Sequence, residues 1–216
     1  MLAIDGGPDP GAVANGLKEK DLALVTALKC KEVLEAAGVT VGISRKVDEE
    51  DRLADEIAEA NSFSPDIAIE VHYNAGGGDG FEVYVQTNTY AAKSKELAAD
   101  IEAKVKTLGQ NSRGIKTKLN NSGTDWFGWL RQVRCPAVLL EGAFVDSKDH
   151  QIVDTIEEQE AMGTAYALGV LEYLKIKPVE KNELYRVQVG AYRNRSNAEA
   201  MLKKLQDLGI NGFITK

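Results

Sequence analysis

Three side chains in this 216-residue chain combine the right chemistry with the right position for a reactive site: Glu19, His72 and Glu141. His72 closes the run Asp66-Ile-Ala-Ile-Glu-Val-His72, in which Ile67, Ile69 and Val71 alternate with Ala68, Glu70 and His72. That period of two predicts a strand with the apolar set on one face and His72 on the other. Glu141 ends the apolar run Ala137-Val-Leu-Leu140, and Glu19 opens a helical pattern. In an open α/β sheet the C-terminal strand ends and the following helix starts share one edge, so these three groups can meet there. An imidazole beside carboxylates offers ligands to a metal and a base for moving protons. Spacing alone leaves the plainer readings open: a helix-start acid, a core histidine and a solvated carboxylate.

The elements that would position these residues follow from periodicity. Strands are expected at residues 2–4, 39–44, 66–72, 80–86 and 137–140, and helices at 18–37, 53–61, 91–108 and 152–174. Residues 109–134 read as long, polar and irregular apart from Trp126, Phe127, Trp129 and Leu130. Strands alternating with helices predict an α/β fold, a twisted and mostly parallel sheet flanked by helices. After a charged stretch containing Pro178, residues 185–190 and 212–215 suggest strands around a helix at 197–208, a small partial βαβ unit. The expected organisation is a first domain over 1–175, a linker over 176–183 and a C-terminal segment over 184–216.

Composition narrows the class. An apolar fraction of 44% and a charged fraction of 27% suit a globular protein, and no stretch of about 18 apolar residues predicts membrane insertion. No secretory signal is visible at the start. Cys30 and Cys135 form no paired motif, so both are expected to be buried hydrophobes. The net charge of -7 is unevenly spread. From Leu184 onward six basic residues face only Glu199 and Asp207, giving +4 there and -11 before it. An acidic main body argues against nucleic acid as a partner.

Four motifs carry a resemblance: Gly6-Gly-Pro-Asp-Pro-Gly-Ala12, Gly16-Leu-Lys-Glu-Lys20, Val71-His-Tyr-Asn-Ala75 and Pro136-Ala-Val-Leu-Leu-Glu-Gly-Ala-Phe144. In that order they resemble the zinc-dependent N-acetylmuramoyl-L-alanine amidases of the type 3 family. The resemblance implies a Zn2+ hydrolase that cuts peptidoglycan between N-acetylmuramic acid and the L-alanine of the stem peptide. Glu19 and His72 match zinc ligands of the family, and Glu141 matches its catalytic glutamate. The family's first histidine ligand, before the Gly-Gly segment, is absent; Asp5 stands there. Either Asp5 replaces it as a ligand, or the histidine is deleted and zinc keeps only Glu19 and His72. The second case would give a weakly active or non-catalytic peptidoglycan-binding protein.

The resemblance extends to softer positions. Asn74 would support the loop after His72 or hold substrate, and Arg113 would line the groove, since stem peptides carry carboxylates. Trp126, Phe127 and Trp129 would form a wall for glycan or peptide, or simply pack a loop. His150 reads as solvated, and Asp9 and Asp79 as turn residues. The tail from Leu184 resembles the first half of a sporulation-related repeat (SPOR) domain, which implies binding to the wall polymer. A monomer acting at the bacterial cell wall is expected, as a phage endolysin or a sporulation amidase released by lysis.

Overall fold

A computed structural model describes residues 1–4, 6–179, 188–210 and 212–214. They divide into two compact units, Met1–Val179 and Glu180–Lys216. The first unit is built on a five-stranded sheet. Its strands are β1 (Leu2–Ala3), β4 (Ala68–Asn74), β5 (Phe81–Val85), β6 (Ser112–Lys116) and β7 (Ala137–Phe144), in the order β1-β4-β7-β5-β6. A separate antiparallel hairpin pairs β2 (Val13–Ala14) with β3 (Leu17–Lys18).

The pairings β1–β4, β4–β7 and β5–β6 are parallel, and β5 runs antiparallel to β7. Chain length explains the reversal. Only residues 75–80 join β4 to β5, whereas a parallel crossover needs a dozen or more residues. The start of β5 therefore lands at the same sheet edge as the ends of β4 and β7.

One face of the sheet is closed by α1 (Glu19–Ala36), α3 (Ala91–Lys106) and α5 (Ile156–Leu174). Leu22, Ala27, Cys30, Leu97, Ile101, Met162 and Val170 pack there on Ile69, Val71, Val83 and Leu140. The other face is covered in part by α2 (Leu53–Phe63) and α4 (Gly128–Gln132), which bring Ile57, Trp129 and Leu130 onto Ala68, Ala137 and Leu139. The rest of that second face is polar and carries the candidate site.

Several expectations need correction. The expected strand at 39–44 reduces to a single bridge, Leu2 to Ile43, because β1 is only two residues long. Residues 109–134 are not wholly irregular: they contain β6 and α4. β6 is an edge strand with a glycine and alternating exposure, so it lacks the apolar signal of a buried strand. β7 continues past Glu141 to Phe144 because Ala143 and Phe144 are buried as well. The final helix is split, with a 3-10 turn at Lys148–Ile152 before α5. Cys30 and Cys135 are free and buried, as expected. Burial pushes their thiols up to about 12 and about 11.

In the second unit the described residues form one helix, α6 (Arg195–Asp207), and no strand. Residues 185–187 and 215, parts of the two strands expected there, lie outside the described residues.

Helix α5 sits close against α1 at Gly163, where a Cβ would run into the Thr26 carbonyl oxygen and crowd Lys29. An absent side chain thus sets that spacing. Gly163→Ala should destabilise the protein by about 1–3 kcal/mol through overpacking, read as a lower denaturant midpoint with an unchanged m-value.

Candidate active site

The polar face is assembled by strand register. His72 and Glu141 are direct partners across the parallel β4–β7 pair, and Glu82 is the partner of Glu141 across the antiparallel β5–β7 pair. Glu70, two residues before His72, shares its face. Four titratable groups from three strands therefore stand side by side. Glu19 arrives from α1: the β2–β3 hairpin turns the chain back so that the first helical residue meets the end of β4. Its Oε1 lies 2.8 Å from His72 Nδ1 and accepts the Tyr73 N–H at 3.1 Å, while Oε2 accepts the Ala12 N–H at 2.8 Å. Gly11 makes room for this carboxylate. It has φ +64, and a Cβ there would collide with Glu19.

The three residues singled out by spacing are thus gathered at one place. Glu19 and His72 also line a cleft with Gly6, Pro8, Asp51 and Arg52. Ile4 is fixed beside it, its N–H bonded to Ser44 Oγ and Glu56 Oε1 and its carbonyl to Arg45 Nε. Asp5, the fourth candidate, lies outside the described residues.

Electrostatics separate the roles. Burial alone would lower the His72 pKa, but Glu70, Glu19 and Glu141 hold it well above the ordinary value. For Glu19, burial pulls upward and is outweighed by His72 and by the Ala12 and Tyr73 N–H groups, so it stays ionised more readily than usual. Glu141 moves the other way: burial first, then the charges of Glu19, Glu82 and Glu70, push it up to about 7 against the pull of His72. Glu141 Oε2 is buried and has no hydrogen-bond partner among the described residues. A carboxyl group poised near neutral pH is suited to taking and returning a proton.

A second layer surrounds these groups. Arg113 Nε and Lys116 Nζ both donate to Glu82 Oε1, the lysine at 2.6 Å, and the Tyr84 hydroxyl donates to Oε2 at 3.1 Å. The Arg113 guanidinium also lies over the Phe144 ring, 5.3 Å from its centroid. Asn74 Oδ1 caps the Ala75 N–H, supporting the loop after β4. That loop is clamped by Asp146, two residues past the end of β7, which accepts the N–H groups of Gly76 and Gly77. Asp149 takes the N–H groups of Gly80 and Phe144. Glu82, Asp146 and Asp149 were not among the sequence candidates. For Glu82 the signal was present, as a charge inside the alternating run Phe81-Glu-Val-Tyr-Val85.

Of the remaining candidates, His150 Nδ1 pairs with Asp154 at 2.5 Å and Trp129 is buried in the core, both away from this cluster, while Asp9 accepts the Gly11 N–H in a turn that lines the same cleft as Glu19 and His72.

A mostly parallel α/β sheet carries a paired imidazole and carboxylate beside a buried carboxyl group pushed up to about 7, an arrangement suited to hydrolysis. Residues 4–172 match the N-acetylmuramoyl-L-alanine amidase family model, and the chain belongs to that family. Residues 164–216 match the SPOR domain model. The chain is 30% identical over 212 residues to the sporulation-specific N-acetylmuramoyl-L-alanine amidase of Bacillus subtilis, covering 97% of this chain and 80% of the relative. It is 33% identical over 220 residues to the amidase CwlM of Bacillus licheniformis, covering 97% and 81%. The crystal structure of N-acetylmuramoyl-L-alanine amidase from Clostridium difficile 630 superposes with a TM-score of 0.71 at 28% identity, over 81% of this chain and 96% of that one. These relatives are amidases, hydrolases of peptidoglycan, and the activity read from the sequence resemblance stands with the family.

The raised pKa of Glu141 has a definite sign for stability. Folding favours its protonated form, so the stabilisation is complete below the ordinary value of 4.5 and is lost as pH rises to about 7. His72, also raised, contributes in the same sense. Metal-free protein should therefore melt at a lower temperature at about pH 8 than at about pH 5, and Glu141→Gln should shrink that difference in thermal melts.

Proposed function

We propose that the chain hydrolyses the lactyl amide between N-acetylmuramic acid and L-alanine, with Glu141 as general acid–base and a zinc ion held by Glu19, His72 and Asp5. The observation that carries this reading is the Glu19–His72 pair set by strand register beside Glu141, whose Oε2 is buried and unpartnered among the described residues. The donor chemistry suits zinc: one imidazole nitrogen and carboxylate oxygens. Among the described residues no set of three or more such donors forms a metal site, so the ligand set rests on Asp5 as the third member. Zinc would supply Lewis-acid polarisation of the scissile carbonyl and of the attacking water.

The chain's own groups divide the remaining work. Glu141 accepts the proton of the attacking water and passes it to the leaving alanine nitrogen. In the metal-free protein burial and the neighbouring carboxylates push its pKa up to about 7, the direction that favours a group taking and returning a proton. Glu19, fixed by the Ala12 and Tyr73 N–H groups, keeps its Oε1 beside His72 Nδ1, so that the two would turn to one metal ion together. Asn74 shapes the rim beside His72, and Arg113 faces the substrate from β6. The SPOR-like tail holds the enzyme on the wall polymer, where its +4 charge favours anionic glycan. Among the described residues no helix is long and apolar enough to cross a membrane.

Metal analysis with a muropeptide-release assay tests this reading. The purified protein should carry stoichiometric zinc and free new alanine amino termini. Glu141→Gln should keep the zinc and lose about 100-fold or more in turnover, and His72→Ala should lose the metal. Zinc retained by His72→Ala would overturn the ligand assignment.

A further inference from the structure

On the β6 side of Glu141 the polar face holds a guanidinium that its neighbours only half use. Glu82 stands opposite Glu141 across the β5–β7 pair. On the other flank of β5 the register with β6 shifts, pairing Phe81 with Ser112 and Val83 with Ile115, so Arg113 and Gly114 together face Glu82. Arg113 is therefore level with Glu141 along the strands and displaced only across them. Its side chain leans back over the sheet. Nε donates to Glu82 Oε1, and the guanidinium lies 5.3 Å from the centroid of the Phe144 ring on β7. That ring is backed by Gly78, where a Cβ would strike it, and Asp149 accepts the Phe144 N–H.

The guanidinium is thus held at one end and open at the other. Its two Nη groups have no hydrogen-bond partner among the described residues, and the side chain is 43% exposed. The Glu82 side chain, only 4% exposed, takes both Arg113 and Lys116, one negative charge against two positive. The opposite flank of the site is different. There the cleft beside His72 is lined by Asp9, Glu50 and Asp51, and its cations are matched: Lys20 by Asp48 at 2.7 Å, Arg52 by Asp55 at 3.0 Å. An anionic arm of a substrate is therefore drawn toward β6 and away from the cleft.

The geometry points to a subsite in which the open Nη groups of Arg113 bind the free α-carboxylate of the second stem-peptide residue. This deepens the amidase reading and rests on it. A carboxylate can accept both Nη groups at once, which a single ammonium could not match. Reach supports the position. From β7 to β6 is two strand spacings, about 10 Å, and the arginine leans back across part of that span. A carboxylate one residue beyond L-alanine lies about 7 Å from the scissile nitrogen. Phe144 beneath the guanidinium limits its freedom and excludes water from one face.

The test uses the full chain and two synthetic muramyl tripeptides. They differ only at the second residue: D-glutamate with a free α-carboxylate, or D-isoglutamine, where that carboxylate is an amide. Calorimetry on a Glu141→Gln background gives the ratio of their dissociation constants without turnover. A preference for the carboxylate ligand of about tenfold is expected, equivalent to one charge-assisted interaction. Arg113→Met should abolish it by weakening the carboxylate ligand alone; Lys116 remains on Glu82, so no buried charge is left unpaired. Arg113→Lys, which keeps the charge and loses the fork, should reduce the preference without removing it, and tests the subsite even if Arg113→Met fails to fold. No preference in the parent, or a ratio unchanged in both variants, would overturn the subsite. So would an equal loss for both ligands, which would mark Arg113 as a packing residue. Failure of the amidase reading appears elsewhere, as absent alanine release by the protein with Glu141 intact.

Discussion

The register between β4 and β7 is the constraint on which both the core and the site depend. With His72 opposite Glu141, the alternating set Ile69, Val71 and Leu140 turns toward α1, α3 and α5, and Glu70, His72 and Glu141 turn away. A slip of one residue on either strand would exchange the two faces. Carboxylates would then enter a helix-covered core, at a cost no nearby cation offsets. Folding and site assembly are therefore one event: the pairing that buries the aliphatic residues also brings imidazole and carboxylate together.

Crowding follows from that register. Glu19, Glu70, Glu82 and Glu141 share a small volume with one imidazole, and their mutual repulsion is resolved unevenly. Glu19 keeps its charge through backbone N–H groups and His72, Glu82 keeps its charge through Arg113 and Lys116, and Glu141, with neither, gives up part of its acidity. Position in the hydrogen-bond network, rather than residue type, separates the carboxylates that keep their charge from the one that gives it up. The same division sorts the sheet face into an acidic centre and a basic margin, with Glu82 at the boundary.

Much of this was legible in the sequence. Period-two runs gave β4 and β5, helical periods gave α1, α3 and α5, and the face assignment of Glu70 and His72 came directly from alternation. The three candidate residues were singled out by their place at expected element ends, and strand register gathers them even though β4 and β7 run on past His72 and Glu141. What escaped had weaker local signatures. β6 is a polar edge strand with a glycine, stabilised by its neighbour rather than by its own pattern. The antiparallel course of β5 was encoded in the shortness of residues 75–80, a constraint on connection and not on periodicity. Glu82 owes its importance to pairing with Glu141 and two basic residues distant in sequence. Asp146 and Asp149 bind backbone N–H groups about 70 residues away, beyond the reach of local pattern.

The two buried thiols bear on durability. The wall polymer that amidases of this family hydrolyse lies beyond the reach of a cytosolic reducing system. Oxidation proceeds through the thiolate. With Cys30 at about 12 and Cys135 at about 11, almost none of that form exists near neutral pH, and packing denies oxidants access to either sulfur. Among the described residues the fold thus uses cysteine as buried filler, with the thiolate chemistry of both sulfurs held back by burial.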